Sequence, residues 1–284
     1  MIHETIALSA ENPNVTLSTY LIGGDRRFGG PRRRPAVLVL PGGGYMVCAS
    51  PEGEPAALSF ARMGYHAFVL NYTVCPEQRE ALPAGGLWPR PLLDVKAAME
   101  YIASHAKAWG VDAEQIAICG FSAGAHLAGM YGSRWRALDM PRPAALILSY
   151  ALGDVRGNGV DALTPERRAA AENFCAVLTG SPAPDEKTLD SLSVQKNICA
   201  DTPPTFLWNT AEDDSVPAEQ TLSLAQALYL SRVPFEVHTF AHGPHALGVA
   251  DESCAGSPER CLPDVAVWTK LAAAWLKGYL HLVF

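Results

Sequence analysis

Two hydrophobic rhythms alternate along this chain. Residues 14–21 switch between polar and apolar at each step, the period of an antiparallel strand with one face in the core. Residues 36–40, Ala-Val-Leu-Val-Leu, are apolar throughout, which suits a central strand covered on both faces. Further strands are predicted at 65–70, 116–119, 144–150, 205–208 and 235–240. Helical patterns run between them. Within 91–108, Leu92, Val95, Met99 and Ile102 recur at spacings of three and four, an amphipathic helix with Pro91 in its first turn. Other helices are predicted at 55–63, 122–136, 218–230 and 264–280. Strands separated by helices need crossover connections, so the expectation is an α/β fold, a mostly parallel sheet with helices on both faces.

One stretch breaks the rhythm. Residues 153–204 lie between two predicted strands and hold one helical pattern, at 164–178, followed by a polar, proline-rich run. That is too long for a simple crossover and predicts a cap inserted over the sheet edge. Without internal repeats or low-complexity tracts, residues 1–284 read as a single domain carrying this cap.

Composition narrows the partners. A net charge of −7 argues against nucleic acid, and the one dense basic run, Arg32-Arg33-Arg34, sits between prolines and reads as a solvated loop. The N-terminus lacks a charged-then-apolar signal pattern, and no apolar run approaches the ~18 residues of a membrane span. The expectation is a cytoplasmic chain with no membrane partner. Seven cysteines are scattered without C-x-x-C or metal-ligand spacing and read as free thiols; Cys254 and Cys261 are the pair that one loop could bring together.

The chemistry concentrates in four places. Gly120-Phe121-Ser122-Ala123-Gly124 fits G-x-S-x-G, between an apolar strand and a helix. A serine on that sharp turn presents its hydroxyl at the edge of a sheet, the nucleophile elbow of an α/β-hydrolase, and bulk at 120 or 124 would clash where strand and helix nearly touch. A serine needs a histidine base, and the histidine needs an oriented carboxylate, in chain order Ser, Asp/Glu, His. Glu212, Asp213 and Asp214 follow the strand at 205–208. Asp213 is preferred as the acid because it lies nearer the strand end; Asp214 stays open as the alternative, and Asp214 or Ser215 could instead cap the helix at 218. After the last strand come His242 and His245. His245, on the tight Gly243-Pro244 turn, is the preferred base, and His242 a rim residue. His126, one helical turn beyond Ser122, reads as a buried structural histidine. Pro41-Gly42-Gly43-Gly44-Tyr45 follows the strand at 36–40 and offers backbone N–H groups of Gly43 and Gly44, with that of Ala123, as an oxyanion hole. Tyr45 and Trp88 are candidate pocket walls. Glu52 and Glu54 read as the acidic start of a helix. This chemistry calls for no metal and no organic cofactor.

The segments Leu40–Tyr45, Glu52-Gly53-Glu54-Pro55, 64–72, the elbow with His126-Leu127-Ala128, and 202–208 together resemble the α/β-hydrolase acetyl esterases and acetylxylan esterases, the BD-FAE-like group near the hormone-sensitive-lipase type. The resemblance spans about residues 35–250. It implies an α/β-hydrolase fold with a small cap, removal of short acyl groups, mainly acetate, from sugars or small alcohols, and Ser122, Asp213 and His245 as the catalytic triad. It also names the partner, a small-molecule ester or acetylated sugar. Two departures stand out: Pro41 replaces the histidine of the His-Gly-Gly-Gly loop, and Asn209 stands where a histidine is expected. A peptidase of the prolyl-oligopeptidase type shares the triad, but 284 residues leave no room for its propeller. A non-catalytic hydrolase-like binding protein is the rival from another class.

Overall fold

A computed structural model describes residues 1–23, 33–76, 82–157 and 164–282. Eight strands form one sheet in the order β1-β2-β4-β3-β5-β6-β7-β8. They are β1 (Thr5–Ala7), β2 (Thr16–Tyr20), β3 (Arg34–Leu40), β4 (His66–Asn71), β5 (Val111–Phe121), β6 (Ala145–Ser149), β7 (Thr205–Thr210) and β8 (Phe235–Phe240). β1 and β2 are antiparallel, and the sheet is parallel from β4 through β8. This is the α/β-hydrolase architecture.

The continuous apolar strands are explained by two cores. Leu38, Leu70, Ile118 and Leu146 point into one, beneath α2 (Arg90–Trp109) and α3 (Ala123–Arg134). Their chain neighbours Val37, Val69, Ala117 and Ile147 point into the other, beneath α1 (Glu54–Arg62) and α9 (Trp268–Leu276). Alternate residues of each strand thus serve opposite faces, and a polar residue on either face would be stranded. α2 begins with Pro91 in its first turn and stops at Gly110, whose left-handed φ of 69° caps the last turn.

Several sequence expectations are corrected. β1 lies in a stretch too short to show a period. β5 begins five residues earlier than expected because Val111 registers against Arg34 of β3. The last helix is broken into α8 (Pro263–Ala266) and α9. After α4 (Pro165–Thr179) the supposed irregular run forms α5 (Glu186–Leu192) and α6 (Val194–Asn197), the former started by the Asp185 carboxylate accepting the Thr188 N–H at 2.8 Å. α7 (Ala218–Leu230) is preceded by Pro217 and has no side-chain cap, so neither Asp214 nor Ser215 fills that role. Arg34 opens β3 and donates to the Gly64 carbonyl, so the basic run is not wholly loop; Arg32 lies outside the described residues.

All seven cysteines are free thiols. Among the described residues, no helix is long and apolar enough to cross a membrane. No group of three or more His, Cys, Asp or Glu among them converges as a metal ion would need.

Candidate active site

Parallel strands deliver their C-terminal ends to one edge, and loops leaving that edge carry the reactive groups. β3 runs into the glycine loop, β5 into Ser122, β7 into Asp213 and β8 into His245.

Ser122 sits between β5 and α3 with φ 51° and ψ −116°, a conformation that costs a β-carbon-bearing residue on the order of 1–3 kcal/mol. The turn is held by its N–H, which donates to the Ser149 carbonyl at 3.0 Å, and by its carbonyl, which accepts the His126 N–H at 2.9 Å. The neighbouring glycines are required by close approach. A β-carbon on Gly120 would run into the Gly124 backbone, and one on Gly124 into the carbonyls of Leu40 and Pro41.

Ser122 Oγ lies 2.8 Å from His245 Nε2, and His245 Nδ1 lies 2.6 Å from Asp213 Oδ2. Asp213 Oδ1 accepts the N–H groups of Ser215 (3.0 Å) and Val216 (2.8 Å). With its carboxylate fully used as an acceptor, Asp213 takes the Nδ1–H of His245 and leaves the Nε2 lone pair facing the serine hydroxyl. The Asp213 side chain is 1% exposed and that of His245 17%, so the acid is sealed from water while the ring reaches the cavity. Asp214, by contrast, is exposed, and its carboxylate accepts from Ser215 Oγ at 3.3 Å. His242 is exposed on the rim and pairs with Glu212. Glu212 also accepts the Gly243 N–H, and Thr210 Oγ1 donates to the Gly243 carbonyl at 2.6 Å, which fastens the histidine loop to the end of β7.

Gly43, Gly44 and Ala123 line the same cavity as Ser122 and His245, a space of about 390 Å³. Ala123 is the first residue of α3, so helix geometry leaves its N–H without an intrahelical acceptor. Leu152, Val155, Phe174, Val216 and Pro217 make the remaining walls mostly apolar, and Arg167 stands among them.

Neither Tyr45 nor Trp88 is among the residues lining this cavity. Tyr45 is fully buried and donates its hydroxyl to His126 Nδ1 at 2.8 Å; Trp88 stands edge-on to the His126 ring at 6.5 Å. His126 Nε2–H donates in turn to the Leu192 carbonyl at 2.7 Å, joining α3 to α5. Burial pushes this imidazole down to about 4, so it stays neutral at pH 7. Asn209 is also buried; its Oδ1 accepts from Thr239 Oγ1 at 2.9 Å, tying β7 to β8 away from the cavity.

The contacts of three further residues around the site, Glu52, Tyr150 and Arg260, are not readable from the sequence. Glu52 lies in the short helical turn Ser50–Glu52 just before α1, but its side chain is buried, whereas Glu54 sits exposed in the first turn of α1. Tyr150 follows β6 and packs its ring 5.0 Å from that of His245. Arg260 donates to the carbonyls of His245 (2.7 Å) and Ala246 (2.6 Å). Long-range partners of this kind leave no local spacing to read.

The BD-FAE family model matches residues 29–228. The chain belongs to the BD-FAE family. Among curated relatives, endo-1,4-beta-xylanase B of Butyrivibrio fibrisolvens is 34% identical over 229 residues, 78% of this chain and 33% of that protein. The chain spans about a third to about a half of the length of the first curated relatives it matches. Among solved structures, the carboxylesterase Cest-2923 from Lactobacillus plantarum WCFS1 is 27% identical, with 99% of both chains covered and a TM-score of 0.82. An acetyl ester-xyloside bifunctional hydrolase from Caldicellulosiruptor lactoaceticus is 31% identical, covering 97% of this chain and 96% of that one, with a TM-score of 0.77. This BD-FAE chain therefore stands among α/β-hydrolase ester hydrolases.

Proposed function

We propose that this chain is a serine carboxylesterase that removes short acyl groups, acetyl above all, from acetylated sugars or xylo-oligosaccharides. The observation that carries the reading is the unbroken Ser122–His245–Asp213 hydrogen-bond chain opening into the apolar cavity beside Gly43, Gly44 and Ala123.

In this reading, Ser122 Oγ attacks the ester carbonyl while His245 Nε2 takes its proton. Asp213 holds the imidazolium that forms. The N–H groups of Gly43, Gly44 and Ala123 receive the oxyanion, each donor contributing on the order of 10²–10³ in rate. His245 then returns the proton to the leaving alcohol, and water, activated by the same histidine, releases the acid from Ser122. The helices α4–α6 act as the cap: Ala171 and Phe174 of α4 close one side of the cavity and limit acyl length. Support for an acetylated sugar substrate comes from the acetyl ester-xyloside hydrolase neighbour and the xylanase relative. The free thiols suit a reducing compartment, and we assign the chain to the cytoplasm.

The test is hydrolysis of p-nitrophenyl acetate, butyrate and octanoate, beside acetylated xylo-oligosaccharides, by wild type and Ser122→Ala. Activity that declines with chain length and is lost in Ser122→Ala supports the reading. Undiminished activity in Ser122→Ala, or a wild type inert on every ester, overturns it.

A further inference from the structure

Beneath the glycine loop lies a carboxylate that the mechanism above does not use. Glu52 closes a short helical turn before α1 and is 2% exposed. Its two oxygens face two different loops. Oε2 accepts the Gly42 N–H at 2.8 Å, and Oε1 accepts the Tyr150 O–H at 2.6 Å. The Tyr150 oxygen accepts the Gly248 N–H at 3.0 Å, three residues beyond His245, and its ring stands against the His245 ring. Gly42 is wedged in place: a β-carbon there would meet Glu52 Oε2, the Phe121 carbonyl and Ser122 Cβ.

We propose that Glu52 is a positioning residue for ester hydrolysis, its carboxylate locking the oxyanion loop and the histidine loop into register with Ser122. The inference rests on the serine-esterase reading and adds a residue to it. Gly42 immediately precedes Gly43 and Gly44, so the bond to Glu52 sets the direction of the N–H groups that receive the oxyanion. Useful stabilisation requires those donors to be held within about 0.5 Å of their reactive positions. The Tyr150 arm holds the far end of the His245 loop.

The site requires a carboxylate rather than an amide. Both oxygens meet donors, Gly42 N–H and Tyr150 O–H. Glutamine places an NH₂ group against one of those donors, and so leaves one buried hydrogen without an acceptor. Burial pushes the Glu52 carboxyl up, against the Tyr150 and Gly42 hydrogen bonds and the charges of His245 and Arg260, which pull it down; Tyr72 and Cys119 are its other titratable neighbours.

The experiment is steady-state hydrolysis of p-nitrophenyl acetate by wild type, Glu52→Gln, Glu52→Asp, Tyr150→Phe and the Glu52→Gln/Tyr150→Phe double variant, each with its thermal unfolding midpoint. Displacing oxyanion donors acts in the transition state, so kcat for Glu52→Gln falls by about 30-fold or more while KM stays within about threefold. The double variant loses less than the product of the single losses, because both substitutions cut one chain. Where Glu52→Gln fails to fold, Glu52→Asp and Tyr150→Phe carry the same kcat-against-KM comparison. A folded Glu52→Gln with wild-type kcat, or losses confined to the unfolding midpoint, overturns the positioning role alone. A wild type inert on esters overturns the esterase reading, and this inference with it.

Discussion

Replacing His126 with glutamine is expected to flatten the acid side of the stability curve. The imidazole is fully buried, donates Nε2–H to Leu192 O and accepts the Tyr45 hydroxyl at Nδ1. Burial first, and then the Arg134 charge, hold it down to about 4 against the pull of the Leu192 bond. In the unfolded chain the same group titrates near 6.5. Between about pH 6.5 and about pH 4 the unfolded state therefore binds more protons than the folded one, so stability falls as pH falls through that window. The full shift corresponds to about 3 kcal/mol, of which about 2 kcal/mol is already lost at pH 5. Glutamine keeps one donor and one acceptor but does not titrate. Urea unfolding of both proteins at pH 7.5 and pH 5 reads the difference: wild type should lose about 2 kcal/mol more than His126→Gln on acidification. His66, also pushed down to about 4 by burial, is present in both proteins and cancels. Parallel losses in the two proteins would refute the argument that a neutral, buried His126 latches α3 to α5.

Four further variants test the site and its surroundings. Asp213→Asn should cut kcat/KM on p-nitrophenyl acetate by about 10⁴-fold, by disturbing the His245 tautomer. Asp214→Asn, exposed and with its carboxylate accepting from Ser215 Oγ, should stay within about threefold; equal losses would reverse the assignment of the acid. Gly124→Ala drives a β-carbon into the carbonyls of Leu40 and Pro41 and should cost at least about 2 kcal/mol, read as a lowered thermal midpoint; an unchanged midpoint contradicts the close strand–helix approach. Phe174→Ala should raise the octanoate-to-acetate ratio of kcat/KM by about tenfold by opening the cavity wall, and an unchanged ratio would remove α4 from control of acyl length.

Every strand but β1, and the chain order of the serine, acid and histidine loops, is legible in the amino-acid sequence. Strand and helix periods are local, because side chains two or three-to-four residues apart share a face, so the alternation of elements was legible from 36–40 onward. The elbow at Ser122 and the glycine loop at 42–44 were legible for a related reason: strained or crowded backbone demands small residues at short, fixed spacings. The long-range contacts around the site come from the fold. Asp213 and not Asp214 meets His245, 32 residues away, because its carboxylate turns back beneath the loop while Asp214 is exposed. Tyr45 left the list of pocket walls because its hydroxyl finds His126, 81 residues on, in the core. The partners of Glu52, and the places of Tyr150 and Arg260 beside His245, became visible only when β3, β6 and the C-terminal loops met. Hydrogen bonds between residues this far apart depend on where the sheet brings the loops, and no spacing along the chain encodes that meeting.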